Sequence, residues 1–114
     1  MAEIEKVSEP EEAERLIERS RERPVVVFKH SLTCGVSAGA RRRFESFVAG
    51  REGDEVGFVL LEVQNARPLS NAVAEATGVR HQSPQAILLR DGEAVWDTSH
   101  GRITEEALGE ALEG

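Results

Sequence analysis

The chain has 114 residues, enough for one ordinary core and too few for two, so a single domain over 1–114 is expected. Fourteen Lys and Arg against 21 Asp and Glu leave a net charge of −7, which argues against a nucleic-acid partner because phosphate binding needs a concentrated basic face. The longest apolar runs, Val25-Val26-Val27-Phe28 and Phe58-Val59-Leu60-Leu61, fall far short of the roughly 18 residues of a membrane helix.

Met1 to Lys6 has neither the basic start nor the apolar stretch of a secretion signal, so a cytoplasmic protein is expected. Residues Glu3 to Val7 could form a short edge strand. A helix is predicted from Glu9 to Arg23, opened by a Ser8/Glu11 capping box with Pro10 in its first turn. Ala13, Leu16 and Ile17 would be its buried stripe, and its acidic start and basic end suit the helix dipole. Pro24 ends it. Val25 to Phe28 is β-branched and not alternating, the pattern of a strand buried on both faces in a parallel sheet.

A polar loop, Lys29 to Thr33, then leads into a helix from Cys34 to Ala49, with Ala40, Phe44, Phe47 and Val48 inward and Gly50 as its stop. Val56 to Gln64 reads as a second buried strand, completing a right-handed parallel crossover. A third helix opens at Pro68, turns Leu69, Val73 and Ala76 inward, and ends at Gly78. Gln85 to Arg90, a turn at Asp91-Gly92, and Glu93 to Asp97 make a hairpin. Thr104 caps a last helix, with Ile103 and Leu108 at hydrophobic-staple spacing and Ala107, Leu108, Ala111 and Leu112 buried. The predicted class is α/β, a mixed central sheet flanked by helices.

A single cysteine excludes an internal disulfide and an intramolecular dithiol mechanism. Cys34 and the histidines at 30, 81 and 100 lack ligand-pair spacing, so no metal is expected. The placement of Cys34 carries the chemistry. It follows a buried strand and starts a helix, where unsatisfied N–H groups and the helix dipole stabilise a thiolate. Ser37, three residues on, can offer its hydroxyl to that sulfur in a C-x-x-S pattern. Ser83-Pro84 precedes the hairpin at the same end of the sheet. As a cis bond it would expose the Ser83 backbone to an extended substrate, and as a trans bond it is an ordinary turn.

The Phe28-Lys29-His30-Ser31 block, Cys34 with Ser37, His81-Gln82-Ser83-Pro84-Gln85, Trp96, Ser99-His100 and Ile103-Thr104 together resemble the YtxJ-type monothiol bacilliredoxins. The likeness spans residues 5 to 112. It implies a thioredoxin-like fold and removal of bacillithiol, a small bacterial thiol, from proteins that carry it as a mixed disulfide. It implies Cys34 as nucleophile, Ser37 as hydrogen-bond partner of the thiolate, and a cis Pro84 shaping a groove. Thr33, Gly35, Ser83, His30 and Lys29 would line the substrate site beside Pro84. It implies bacillithiol as co-substrate without a resident cofactor, bacillithiolated proteins as partners, and an external thiol to resolve the intermediate. A monomer is expected.

Gly35 departs from the proline that often follows the cysteine in this family, which loosens the first helical turn and leaves the reduction potential open. His30 is either an imidazolium partner of the thiolate or a loop histidine, solvated or bonded to backbone. His81 and His100 are expected to be structural, and Trp96 to pack. Lys29, Arg80 and Arg102 flank the motif loops as candidates for the carboxylates of bacillithiol. Arg41-Arg42-Arg43 reads as a solvated helix face, with Arg42 opposite the apolar stripe. Two other functions stay open: a peptide-binding module without turnover, and a sensor whose cysteine is oxidised.

Overall fold

A computed structural model describes residues 3–51 and 55–113. Met1 and Ala2, part of the opening segment read above, lie outside the described residues. The elements run β1 (Ile4–Lys6), α1 (Glu12–Arg19), β2 (Val25–His30), α2 (Gly35–Ala49), β3 (Gly57–Glu62), α3 (Arg67–Thr77), β4 (Gln85–Arg90), β5 (Glu93–Ser99) and α4 (Glu105–Glu113), with 3-10 turns at Val63–Asn65 and His100–Arg102. The sheet order is β1-β3-β2-β4-β5. β1 and β2 lie parallel to β3, whereas β4 runs antiparallel to both β2 and β5. The mixed α/β sheet expected from the sequence is therefore present, with its low-signal edge strand β1 seated against β3.

Alternation along β2 divides the core. Val25 and Val27 enter an apolar cluster with Ala13 and Leu16 of α1 and Leu69 and Val73 of α3. Val26 and Phe28 face the other way, into a cluster with Ala40, Phe44 and Val48 of α2 and Leu108 of α4. The Phe28 and Phe44 rings stack at 4.9 Å and fix α2 on this face. Trp96 packs against the same cluster, as expected.

Several boundaries differ from expectation for identifiable reasons. α1 spans only Glu12–Arg19, and no capping box forms, because Glu11 is the N-cap and the Ser8 hydroxyl donates to Glu9 instead. Beyond α1, Ser20 is recruited to the hairpin: its hydroxyl accepts the Gly92 N–H at 2.9 Å and its carbonyl accepts the Asp91 N–H at 2.8 Å. Asp91 and Gly92 have φ values of 53° and 85°, the positive values that a two-residue turn of this hand requires. Ala76 is exposed and Ala72 takes its place against the core. α4 is capped as read, with the Thr104 hydroxyl accepting the Ala107 N–H at 3.0 Å, over buried Ile103 and Leu108.

The largest correction concerns Lys29 and His30. They were expected in a loop, yet they extend β2 by two residues, pairing with Leu61 and Glu62 of β3, and Lys29 also pairs with Gln85 of β4. Flanking strands on both sides override the polar character of the residues themselves.

Candidate active site around Cys34

The parallel strands β2 and β3 end together, and the chain leaves each toward a helix on an opposite face. Pairing of Lys29 with Gln85 lays segment 81–84 alongside segment 30–34. The cysteine loop, the first turns of α2 and α3, and Ser83-Pro84 thus meet at one end of the sheet.

Cys34 is the N-cap of α2 rather than its first helical residue, with extended backbone (φ −112°, ψ 122°) and partial exposure. Its carbonyl accepts the Ala38 N–H at 3.1 Å. The first N–H groups of α2 have no intrahelical acceptor, and the Cys34 side chain makes no capping hydrogen bond to them. Leu32 and Val36 flank it at 49% and 53% exposure, two of the three large hydrophobic side chains exposed among the described residues. Residue type alone gave no sign of this apolar rim.

The loop before Cys34 is held by a residue that sequence reasoning missed. Gln64, in the turn after β3, accepts the Leu32 N–H at 3.0 Å and donates to the Ser31 hydroxyl at 2.9 Å and the Thr33 hydroxyl at 3.3 Å. Thr33, read as substrate-binding, is therefore tied back to the protein through its side chain. The only available signal was a polar residue closing an apolar strand.

Ser37 and His30 occupy a different arrangement from the one expected. Ser37 is fully buried, and its hydroxyl accepts the Ser31 N–H at 2.9 Å and lies 2.8 Å from His30 Nδ1. Among the described residues these are its partners, and the sulfur of Cys34 is not one of them. His30 is buried on the α2 face, stacked near Phe28. Burial, then the nearby Arg41 charge, holds it below the ordinary histidine value despite Glu62 and Glu45. Among the described residues the ring partner of His30 is the Ser37 hydroxyl, which is neither the thiolate nor the solvent or backbone contact expected of a loop histidine. Glu62, beside it, is kept ionised by hydrogen bonding to Lys6 at 2.8 Å, with Arg41 at 3.7 Å. Arg41 and Arg43 are thus not simply solvated: Arg43 donates to the Ile103 carbonyl at 2.6 Å, and Arg42 alone is exposed.

Lys29 is also corrected. Read as a surface group for a substrate carboxylate, it has no exposed surface, because strand alternation turns it into the α1/α3 side of the sheet. Its Nζ donates to the Ser70 carbonyl at 3.2 Å and lies 3.3 Å from His81 Nδ1. Burial pushes its pKa down to about 8. Arg80 and Arg102 remain exposed at the same end.

The Ser83-Pro84 bond is cis. Gln85 holds the approach to it, donating to the Arg80 carbonyl at 2.9 Å and accepting the Gln82 N–H at 3.3 Å. The His100 N–H donates to the Pro84 carbonyl at 3.0 Å, and the His100 ring lies 3.2 Å from the Gln82 side chain. Ser83 itself has no backbone hydrogen bond among the described residues, and its buried hydroxyl is unpartnered. No group of three or more His, Cys, Asp or Glu among the described residues could hold a metal ion. Nor is any helix among them long and apolar enough to cross a membrane.

A five-stranded mixed sheet, a cysteine at the start of the helix after its central strand, and a cis proline entering the antiparallel strand define a thioredoxin-fold thiol protein with one sulfur at its centre. Comparison with solved structures agrees. A protein described as a candidate oxidoreductase with a thioredoxin fold is 38% identical, with TM-score 0.84 over 96% of this chain and 93% of that one. Thioredoxins of Malassezia sympodialis (18% identity, TM-score 0.76, covering 99% and 90%) and Fasciola hepatica (20%, TM-score 0.73, covering 96% of each) share the fold. The particular family follows from the sequence match: the monothiol bacilliredoxin BrxC model covers residues 5–108, and the chain belongs to that family.

Proposed function

We propose that this protein is a cytoplasmic monothiol oxidoreductase that removes bacillithiol from protein mixed disulfides. The observation that carries the reading is the partly exposed Cys34 at the N-cap of α2, at the sheet end where Ser83 leaves its backbone unpaired. The Cys34 thiolate attacks the bacillithiol sulfur. The bond between that sulfur and the client cysteine breaks, and the client leaves as a thiolate that takes up a proton. Cys34 then carries bacillithiol as a mixed disulfide. An external thiol, supplied because no second cysteine exists in the chain, attacks the bacillithiol sulfur and releases Cys34. Over the cycle the client sulfur is reduced to a thiol, one external thiol is oxidised, and bacillithiol passes from the client to that external thiol as a new disulfide.

Each group has a supporting role in this scheme. The α2 N-terminus stabilises the attacking and departing Cys34 thiolate. Ser37 acts by holding Ser31 and His30, which sets the loop, rather than by contacting the sulfur in the resting protein. Ser83 offers main-chain groups to an extended client beside the disulfide, in the manner of an added strand. Leu32 and Val36 provide apolar contact for a protein client.

Intact-protein mass after brief exposure to oxidised bacillithiol tests this, with glutathione disulfide and Cys34→Ala in parallel. The expected result is one bacillithiol adduct, absent from Cys34→Ala, removed by free bacillithiol and formed poorly with glutathione. An unmodified wild type at neutral pH would overturn the exchange mechanism and leave a peptide-binding module.

A further inference from the structure

Lys29 is a buried cation with no carboxylate partner among the described residues, set directly beneath the run that leads into Ser83-Pro84. Its Nζ approaches two atoms, the Ser70 carbonyl on α3 and His81 Nδ1. The Ser70 hydroxyl lies 3.2 Å from the same His81 nitrogen. An ammonium can only donate, so beside it Nδ1 must present its lone pair, and a neutral imidazole then carries its proton on Nε2. His81 is exposed, and its Nε2 meets no protein group among the described residues.

We infer that Lys29 is a positioning residue for thiol exchange: acting through His81, it fixes the imidazole as the Nε2–H tautomer and holds the run into Ser83-Pro84 with an N–H donor turned outward. The inference rests on the exchange reading above. The charges around the pair agree with it. Burial, Lys29 and Arg67 all hold His81 below the ordinary histidine value, so an imidazolium is disfavoured. Lys29, lowered only to about 8, is still mainly ammonium at neutral pH. With Gln85 gripping Arg80 and Gln82, the segment is fastened from β2, from α3 and from its own strand.

The test uses the full chain labelled with 15N in its histidine rings, as wild type and as Lys29→Met. Long-range proton–nitrogen correlations of wild type should show His81 protonated on Nε2 and bare on Nδ1 from pH 6 to 7.5. In Lys29→Met, the His81 titration should move upward while staying below the ordinary value, because burial and Arg67 remain, and the ring should mix tautomers. Cys34 exchange should fall roughly tenfold, while the melting temperature at pH 7 stays level or rises because an unpaired buried charge is gone. His81→Phe should lose the same factor, and the double variant no more than either. A proton on Nδ1 in wild type, an unchanged His81 titration in Lys29→Met, or an exchange rate within twofold of wild type would overturn the inference. Should Lys29→Met fail to fold, the wild-type ring pattern and the rate of His81→Phe decide. An inert wild type would count against the exchange reading of Cys34, and the ring pattern would still judge Lys29.

Discussion

The side-chain carbonyl of Gln64 accepts the backbone N–H of Leu32 at 3.0 Å, joining the turn after β3 to the loop that presents Cys34. The same amide reaches the hydroxyls of Ser31 and Thr33, so one side chain sets the path of three consecutive residues. In the proposed exchange the course of this loop sets how the Cys34 sulfur meets the α2 N-terminus, and Gln64 fixes that course from outside the helix.

Gln64→Ala should therefore slow bacillithiol transfer through Cys34 by roughly tenfold. The fold should lose only about 1–2 kcal/mol, the usual net worth of a few partly exposed hydrogen bonds. Stopped-flow exchange rates beside urea unfolding would measure both. Equal rates in the two proteins would show that the loop holds its course without the amide.

Gly35 occupies the first helical position, and a Cβ built there meets nothing within 4 Å. Cys34 before it already has the extended backbone that a following proline demands. Gly35→Pro, which restores the common family residue, should stabilise the fold by about 0.5–1 kcal/mol through the unfolded chain. A lower urea midpoint would contradict this. The variant's Cys34 exchange rate would also show how the glycine tunes the thiol.

Stability should depend on pH through Lys29 with a definite sign. Its folded value of about 8 lies below the ordinary 10.5, so between those limits the unfolded chain holds more protons. Stability from this group therefore rises with pH from about 8 to 10.5, by on the order of 3 kcal/mol. Urea denaturation at intervals across that range should show a rise in wild type that Lys29→Met lacks. On the acid side His30 and His81 are both lowered, so their contribution is lost as pH falls below about 6.5.

Leu32 and Val36 are exposed two residues to either side of Cys34, and polar replacements there remove no core contact. The double variant Leu32→Ser, Val36→Ser should keep its stability within about 0.5 kcal/mol at each site. It should reduce a bacillithiolated protein several-fold more slowly while exchanging with oxidised bacillithiol at the wild-type rate. Parallel loss on both substrates would mean the two residues act on the sulfur and not on the client.

Much of this molecule could be read from its sequence because the signals were local. The unbroken β-branched run at Val25 marked a strand buried on both faces, Asp91-Gly92 marked the hairpin, and Thr104 marked the start of α4. The place of Cys34 between strand and helix followed from those elements alone, and the motif blocks named the family. Tertiary structure decided what the polar residues near the sulfur do. Lys29 and His30 entered β2 because β3 and β4 pair with them, and alternation then sent one side chain to each face of the sheet. That left Lys29, one of three candidate carboxylate ligands, buried against His81, and His30, open between a thiolate partner and a loop histidine, bonded to Ser37. Gln64 and Ser20 gained their roles from contacts 32 and 72 residues away in the chain. Periodicity and capping are written in neighbouring residues, whereas the partner of a buried polar group is set by which distant strand or turn arrives beside it.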